Sequence, residues 1–142
     1  MLKGISPLLS PELLKILAEM GHGDELVLGD CNFPAETMGK RCVRADGHKS
    51  AELVDAILQL LPLDTFVQAP VTLMQVPAGG LAADPPIWQD FERLVEKYQP
   101  GTKLERIDRF AFYERAKNAY ATVATGERAL YACIILKKGC LL

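Results

Sequence analysis

The run Ala-Cys-Ile-Ile-Leu at positions 132–136 constrains the fold more than any other stretch. Its side chains are apolar in succession and do not alternate as they would on a sheet with one wet face. Such a strand is buried on both faces, so other elements must cover it from two sides. Helical patterns supply those layers. Ser10-Pro11-Glu12 reads as a helix start, with a capping hydroxyl, a proline at the first helical position and an acid at the positive end of the dipole. Leu13, Leu14, Leu17 and Met20 follow at helical spacing up to Gly21. Ser50 is the expected cap of a second helix, whose buried stripe is Leu53, Val54, Ile57, Leu58 and Leu61 and whose stop is Pro62. A third begins at Asp84-Pro85-Pro86 and carries Ile87, Phe91, Leu94, Val95 and Tyr98 on one face. A fourth is expected over 110–119, packing through Phe110, Tyr113 and Ala116–Lys117.

Between these patterns lie short strand signals at 25–28, 41–45, 71–76, 104–107, 120–124 and 131–136, with a loop through Asn32-Phe33-Pro34 and Met38-Gly39. Helices and strands alternate for most of the chain. The expected architecture is one three-layer α/β/α domain over residues 1–142, with a central sheet that is mostly parallel or mixed.

Composition narrows the function. Apolar residues make up 49% of the chain, enough for a core without disulfide or metal staples. A net charge of −2 argues against a nucleic-acid partner, which calls for a basic face; Lys137–Lys138 reads as a solvated edge. No segment approaches the roughly 18 apolar residues of a membrane helix, and "MLKGISPLLS" is too broken by Gly and Pro for a signal peptide. A cytoplasmic location is expected. Cys31, Cys42, Cys133 and Cys140 match no zinc spacing and read as free thiols.

Four places carry chemistry. His22 stands between Gly21 and Gly23, with Asp24 and Asp30 close behind. An imidazole titrates near about 6.5 and is the natural acid–base group at neutral pH, yet a solvated turn histidine fits the same pattern. Gly21-x-Gly23 follows a helix and lacks the third glycine of a dinucleotide fingerprint. A metal-dependent hydrolase built on His22, Asp24, Asp30 and His48 matches no metal spacing. Asp30 lies just past a strand end, where ligands of α/β sheets collect; an Asx-turn is the plainer reading. Arg109 sits at a strand-to-helix junction and can reach a pocket. Tyr131 opens the last expected strand; its phenol can donate a proton, and a core tyrosine fits equally.

The stretches "SPELLKILAEMGHGDELVLGD", "NFPAETMG", "RADG", "LLPLD", "RFAFYERAKNAYATVATGERALYA" and "ILKKG" together resemble the RbsD/FucU family, and within it the FucU branch of L-fucose mutarotases. They span nearly the whole chain. The resemblance implies an RbsD-like fold and an isomerase that interconverts the α and β anomers of L-fucose, with pyranase activity on D-ribose as an extension; a non-catalytic monosaccharide-binding protein is the alternative. It implies no cofactor and no metal, a monosaccharide as partner, and a homo-oligomer, from dimer to decamer, whose sites are shared between subunits. His22 would be the catalytic histidine, oriented by an aspartate, with Asp30 and Asp24 as the options. Tyr131 would be the second acid–base group, with Tyr113 as runner-up. Asp30, Arg109, Tyr131 and Ala132 would hold the sugar. The chain departs from the family at Cys133, where the pattern has asparagine. The strand's main chain, and not this side chain, is the expected sugar contact there.

Overall fold

The computed structural model describes residues 1–142. Six strands form one mixed sheet in the order β2-β5-β1-β6-β3-β4. In chain order the elements are α1 (Pro11–Glu19), β1 (Glu25–Gly29), α2 (Ala35–Met38), β2 (Cys42–Ala45), α3 (Ser50–Leu58), β3 (Val71–Met74), α4 (Ile87–Tyr98), β4 (Leu104–Ile107), α5 (Arg109–Asn118), β5 (Ala121–Thr125) and β6 (Ile134–Lys137). β1, β2 and β5 are mutually parallel, as are β3 and β4. β6 runs antiparallel to both of its neighbours, pairing Leu28 with Ile134 on one side and Leu73 with Ile134 on the other.

The apolar run behaves as its pattern requires. Ile134 and Leu136 join the larger core with α1, α3 and α4, while Cys133 and Ile135 join a second core with α2 and α5. All four are buried. The three expected layers are present.

Several local readings change. Residues 35–38, expected as loop, form the single turn α2. Ser50 does not cap α3. Lys49 is the N-cap, its backbone N–H bound by Glu52, and the Ser50 hydroxyl is buried against Thr125 Oγ1 at 3.1 Å and the Ala132 carbonyl at 3.4 Å. α5 packs through Phe112 and Ala116, whereas Phe110 is 68% exposed. Tyr131 lies outside β6, which starts at Ile134. Lys137 and Lys138 are not a solvated edge: Lys137 pairs with Glu25 at 3.2 Å, and the Lys138 ammonium donates to the Leu17 and Met20 carbonyls, closing the end of α1. No helix is long and apolar enough to cross a membrane.

Candidate functional site

Because β6 is antiparallel to β1 and β3, its start lies beside their C-terminal ends. That edge collects most of the residues the sequence singled out. A hollow of about 260 Å³ is lined by Asp30, Phe33, Met74, Arg109, Tyr113, Tyr131 and Cys133, among others. A second hollow of about 220 Å³ shares Arg109 and Tyr131 and adds Gln75, Asp108 and Phe110. Tyr131 and Arg109 therefore stand at the junction, and Tyr113 lines the first hollow only.

Each group is placed by the chain around it. Asp30 follows β1 directly. Its Oδ1 accepts the Asn32 N–H at 2.9 Å, an Asx-turn, and its Oδ2 accepts the Cys133 thiol at 3.5 Å. Asp30 thus makes the turn and lines the cavity as well. Burial, and then the charge of Asp30, push the Cys133 thiol well above its ordinary range, so it remains a protonated donor. The Cys133 side chain, expected to be a bystander, touches the carboxylate of the site. Arg109 is the first residue of α5, after the N-cap Asp108, whose carboxylate accepts the Phe110 and Ala111 N–H groups. Ala132, expected among the sugar contacts, is fully buried and lines neither hollow, and its carbonyl lies 3.4 Å from the Ser50 hydroxyl.

Tyr131 has φ 58°, the one positive value outside glycine. A tyrosine in the left-handed region costs about 1–3 kcal/mol, a strain that clusters at functional sites. The Tyr131 carbonyl accepts the Trp88 indole N–H at 3.0 Å. The loop before it is fixed from below: Thr125 Oγ1 donates to the Gly29 carbonyl at 2.7 Å and accepts from the Glu127 N–H. At Gly126 a Cβ would come within 2.0 Å of the Asp46 carbonyl, so only glycine passes there.

His22 is at the other end of the sheet. It precedes β1, and five residues of strand, about 17 Å at ~3.4 Å each, separate it from the Asp30 edge. Neither expected aspartate orients it. Asp24 Oδ2 accepts the Gly21 N–H at 2.7 Å and closes the turn. The imidazole's partner is Asp64: Nε2 lies 3.1 Å from Asp64 Oδ1. Asp64 is 3% exposed. The Phe66 backbone N–H, then the His22 ring and Lys137, hold its carboxyl below the usual range against the opposing effect of burial. The Phe66 ring leans on His22 with centroids 5.3 Å apart. Asp64 is carried to this spot by the Leu63–Lys138 bridge, and at Gly139 a Cβ would meet the Leu63 carbonyl at 2.5 Å. His48 lies elsewhere, beside Glu52.

An ionised Asp64 only accepts, so Nε2 carries the proton of a neutral His22 and Nδ1 is the basic nitrogen. One chain thus holds two separated groups: a histidine–aspartate pair at one edge, and a carboxylate, guanidinium and phenol round a cavity at the other. Sequence reasoning did not find Asp64 or Trp88. Asp64 had only its position in "LLPLD" after a helix stop, and Trp88 lay beside the apolar stripe assigned to α4.

A model of the RbsD / FucU transport protein family matches residues 3–141. The L-fucose mutarotase of Actinobacillus pleuropneumoniae serotype 5b (strain L20) is 51% identical over 140 residues, 98% of this chain and 96% of that protein. The fucose mutarotase of Homo sapiens is 50% identical over 147 residues, 99% and 94% of the two chains. The crystal structure of the Streptococcus pneumoniae fucose mutarotase in complex with L-fucose superposes with a TM-score of 0.93 at 46% identity, covering 99% of this chain and 100% of that one. Bacillus subtilis RbsD, complexed with D-ribose, shares the fold with a TM-score of 0.71 at 22% identity over all of both chains. Near-complete coverage at about half identity, on a mixed sheet of the same shape, establishes that this chain belongs to the RbsD/FucU family.

Proposed function

We propose that the protein is an L-fucose mutarotase whose working site joins the His22–Asp64 pair of one subunit to the Asp30–Arg109–Tyr131 cavity of another. The observation that carries this reading is the separation itself: two acid–base halves stand at opposite ends of β1, too far apart for one monosaccharide to touch both. A second copy closes that gap.

The chemistry moves protons only. Asp30 accepts from sugar hydroxyls, and Arg109 donates to them. His22 Nδ1 takes the proton of the anomeric hydroxyl while the Tyr131 phenol protonates the ring oxygen. The C1–O bond to the ring breaks, leaving an aldehyde at C1 and a hydroxyl where the ring oxygen was. Rotation about C1–C2 presents the other face, and closure with the two protons returned gives the opposite anomer. Each positioned acid–base group supplies roughly 10²–10⁴-fold. The same open aldehyde connects the pyranose and furanose rings of D-ribose, which makes ribose the second substrate to assay. The relatives named for fucose support L-fucose as the first.

Saturation-transfer NMR tests the reading. Added protein is expected to speed exchange between the α and β resonances of L-fucose, and folded His22→Ala is expected to abolish the effect. Binding of L-fucose without faster exchange would turn the assignment into a monosaccharide-binding protein.

A further inference from the structure

Trp88 is the chain's single tryptophan. It is the second residue of α4, and only 1% of it is exposed. The Arg106 guanidinium of β4 covers one face of its ring, 4.4 Å from the centroid, and is itself paired with Asp84 at 3.1 Å. A buried indole N–H needs a partner. Its partner is the carbonyl of Tyr131, the one residue with a side chain at positive φ. The next carbonyl, Ala132, lies 3.4 Å from the Ser50 hydroxyl of α3. Of these two successive carbonyls, that of Tyr131 takes the stronger bond, from α4, just where the chain turns from the cavity into β6.

We infer that Trp88 is the positioning residue for Tyr131: its N–H holds the peptide that follows Tyr131 in the left-handed geometry that keeps the phenol beside Arg109. Without that donor, residue 131 relaxes toward an extended approach to β6, the Cα–Cβ bond rotates against the following peptide, and the phenol leaves its place at the junction of the two hollows. The catalytic part of the inference rests on the mutarotase reading; the conformational part does not.

Because the chain has one tryptophan, growth on β-(benzothienyl)alanine replaces the indole N–H by sulfur at position 88 alone and keeps the ring shape. Two readouts apply. The first is the intraresidue HN–Hα Overhauser effect of Tyr131, which is strong at positive φ. The second is kcat and KM for L-fucose exchange. With the sulfur analogue, the strong Overhauser effect is expected to vanish. kcat is expected to fall roughly ten- to a hundred-fold, as for a misplacement of about 1 Å, with the smaller change in KM. 7-Azatryptophan keeps the N–H and is expected to preserve both readouts; equal loss with it would reduce Trp88 to packing and overturn the inference. An unaltered Tyr131 signal in the sulfur analogue would overturn it as well. If that protein fails to fold, Trp88→Phe carries the same two readouts. If wild type does not exchange anomers, the mutarotase reading fails, and the Tyr131 signal alone decides the positioning role.

Discussion

At the scale of single residues, Asp64 decides what His22 can do. An asparagine in its place can offer an N–H as readily as an oxygen, so it no longer fixes which ring nitrogen is basic. Asp64→Asn is expected to lower L-fucose exchange about 10²-fold or more and to leave sugar affinity nearly unchanged, measured by saturation transfer and titration. The same variant makes a pH prediction. The folded-state carboxyl titrates below its ordinary value, so its ionised form adds stability at neutral pH. That contribution fades as pH falls beneath about 3.9, the unfolded value, and through the lower folded one. Melting temperatures of wild type and variant should therefore differ most near neutrality and converge in acid; a gap that persists in acid contradicts the assignment. His22 was legible because glycines and acids frame it within a few residues. Asp64 was not, since it reaches His22 from 42 positions away through tertiary packing. Cys133 could be read as a departure, but its contact with Asp30 spans 103 positions and left no local trace.

Elements were legible where one pattern dominated. The central strand announced itself by unbroken burial, and α1 by its cap and proline. α2 is too short for any period to appear. On α5 the expected Ala116 and Tyr113 do pack on the second core, and the misreading was Phe110, which is exposed while Phe112 is buried, because aromatic residues occur on two faces and spacing alone does not choose between them. Beside the packing of Phe112 and Ala116, α5 has an ionic anchor. Arg115 reaches Glu25 of β1 at 2.6 Å, Glu105 of β4 at 2.7 Å and Thr72 of β3 at 2.9 Å. Burial, which alone would raise the Glu105 carboxyl, is outweighed by Thr72 and Arg115, and it is held low. Arg115→Leu leaves the two carboxylates facing each other with Lys137 as remaining cation. A loss of about 2–4 kcal/mol is expected, below the fully buried case because the group is partly solvated. Calorimetry should register it as a fall of roughly 5–15 °C in Tm; an unchanged Tm would mean that packing alone seats the helix.

At the scale of the whole molecule, the proposed mutarotase reading makes activity depend on assembly. Folded His22→Ala and Tyr131→Phe proteins, each inactive alone, are expected to recover part of the exchange activity when their subunits are mixed and re-formed, since some hybrid sites then hold both intact halves. Verified hybrids without activity would place the whole reaction within one chain. No sequence period encodes this, because an isolated chain carries no signal of what its edges face. The central strand has a consequence of another kind. The sheet halves β2-β5-β1 and β3-β4 are joined by β6 alone, and β6 follows the other five strands of the sheet in chain order. Leu26, near the start of the chain, pairs with Leu136. Until β6 docks, β1 and β3 each keep an unpaired edge, the arrangement most open to wrong pairing. Closure of the sheet must wait for that final strand, whose long reach makes it a slow step and whose arrival makes the two halves one cooperative unit.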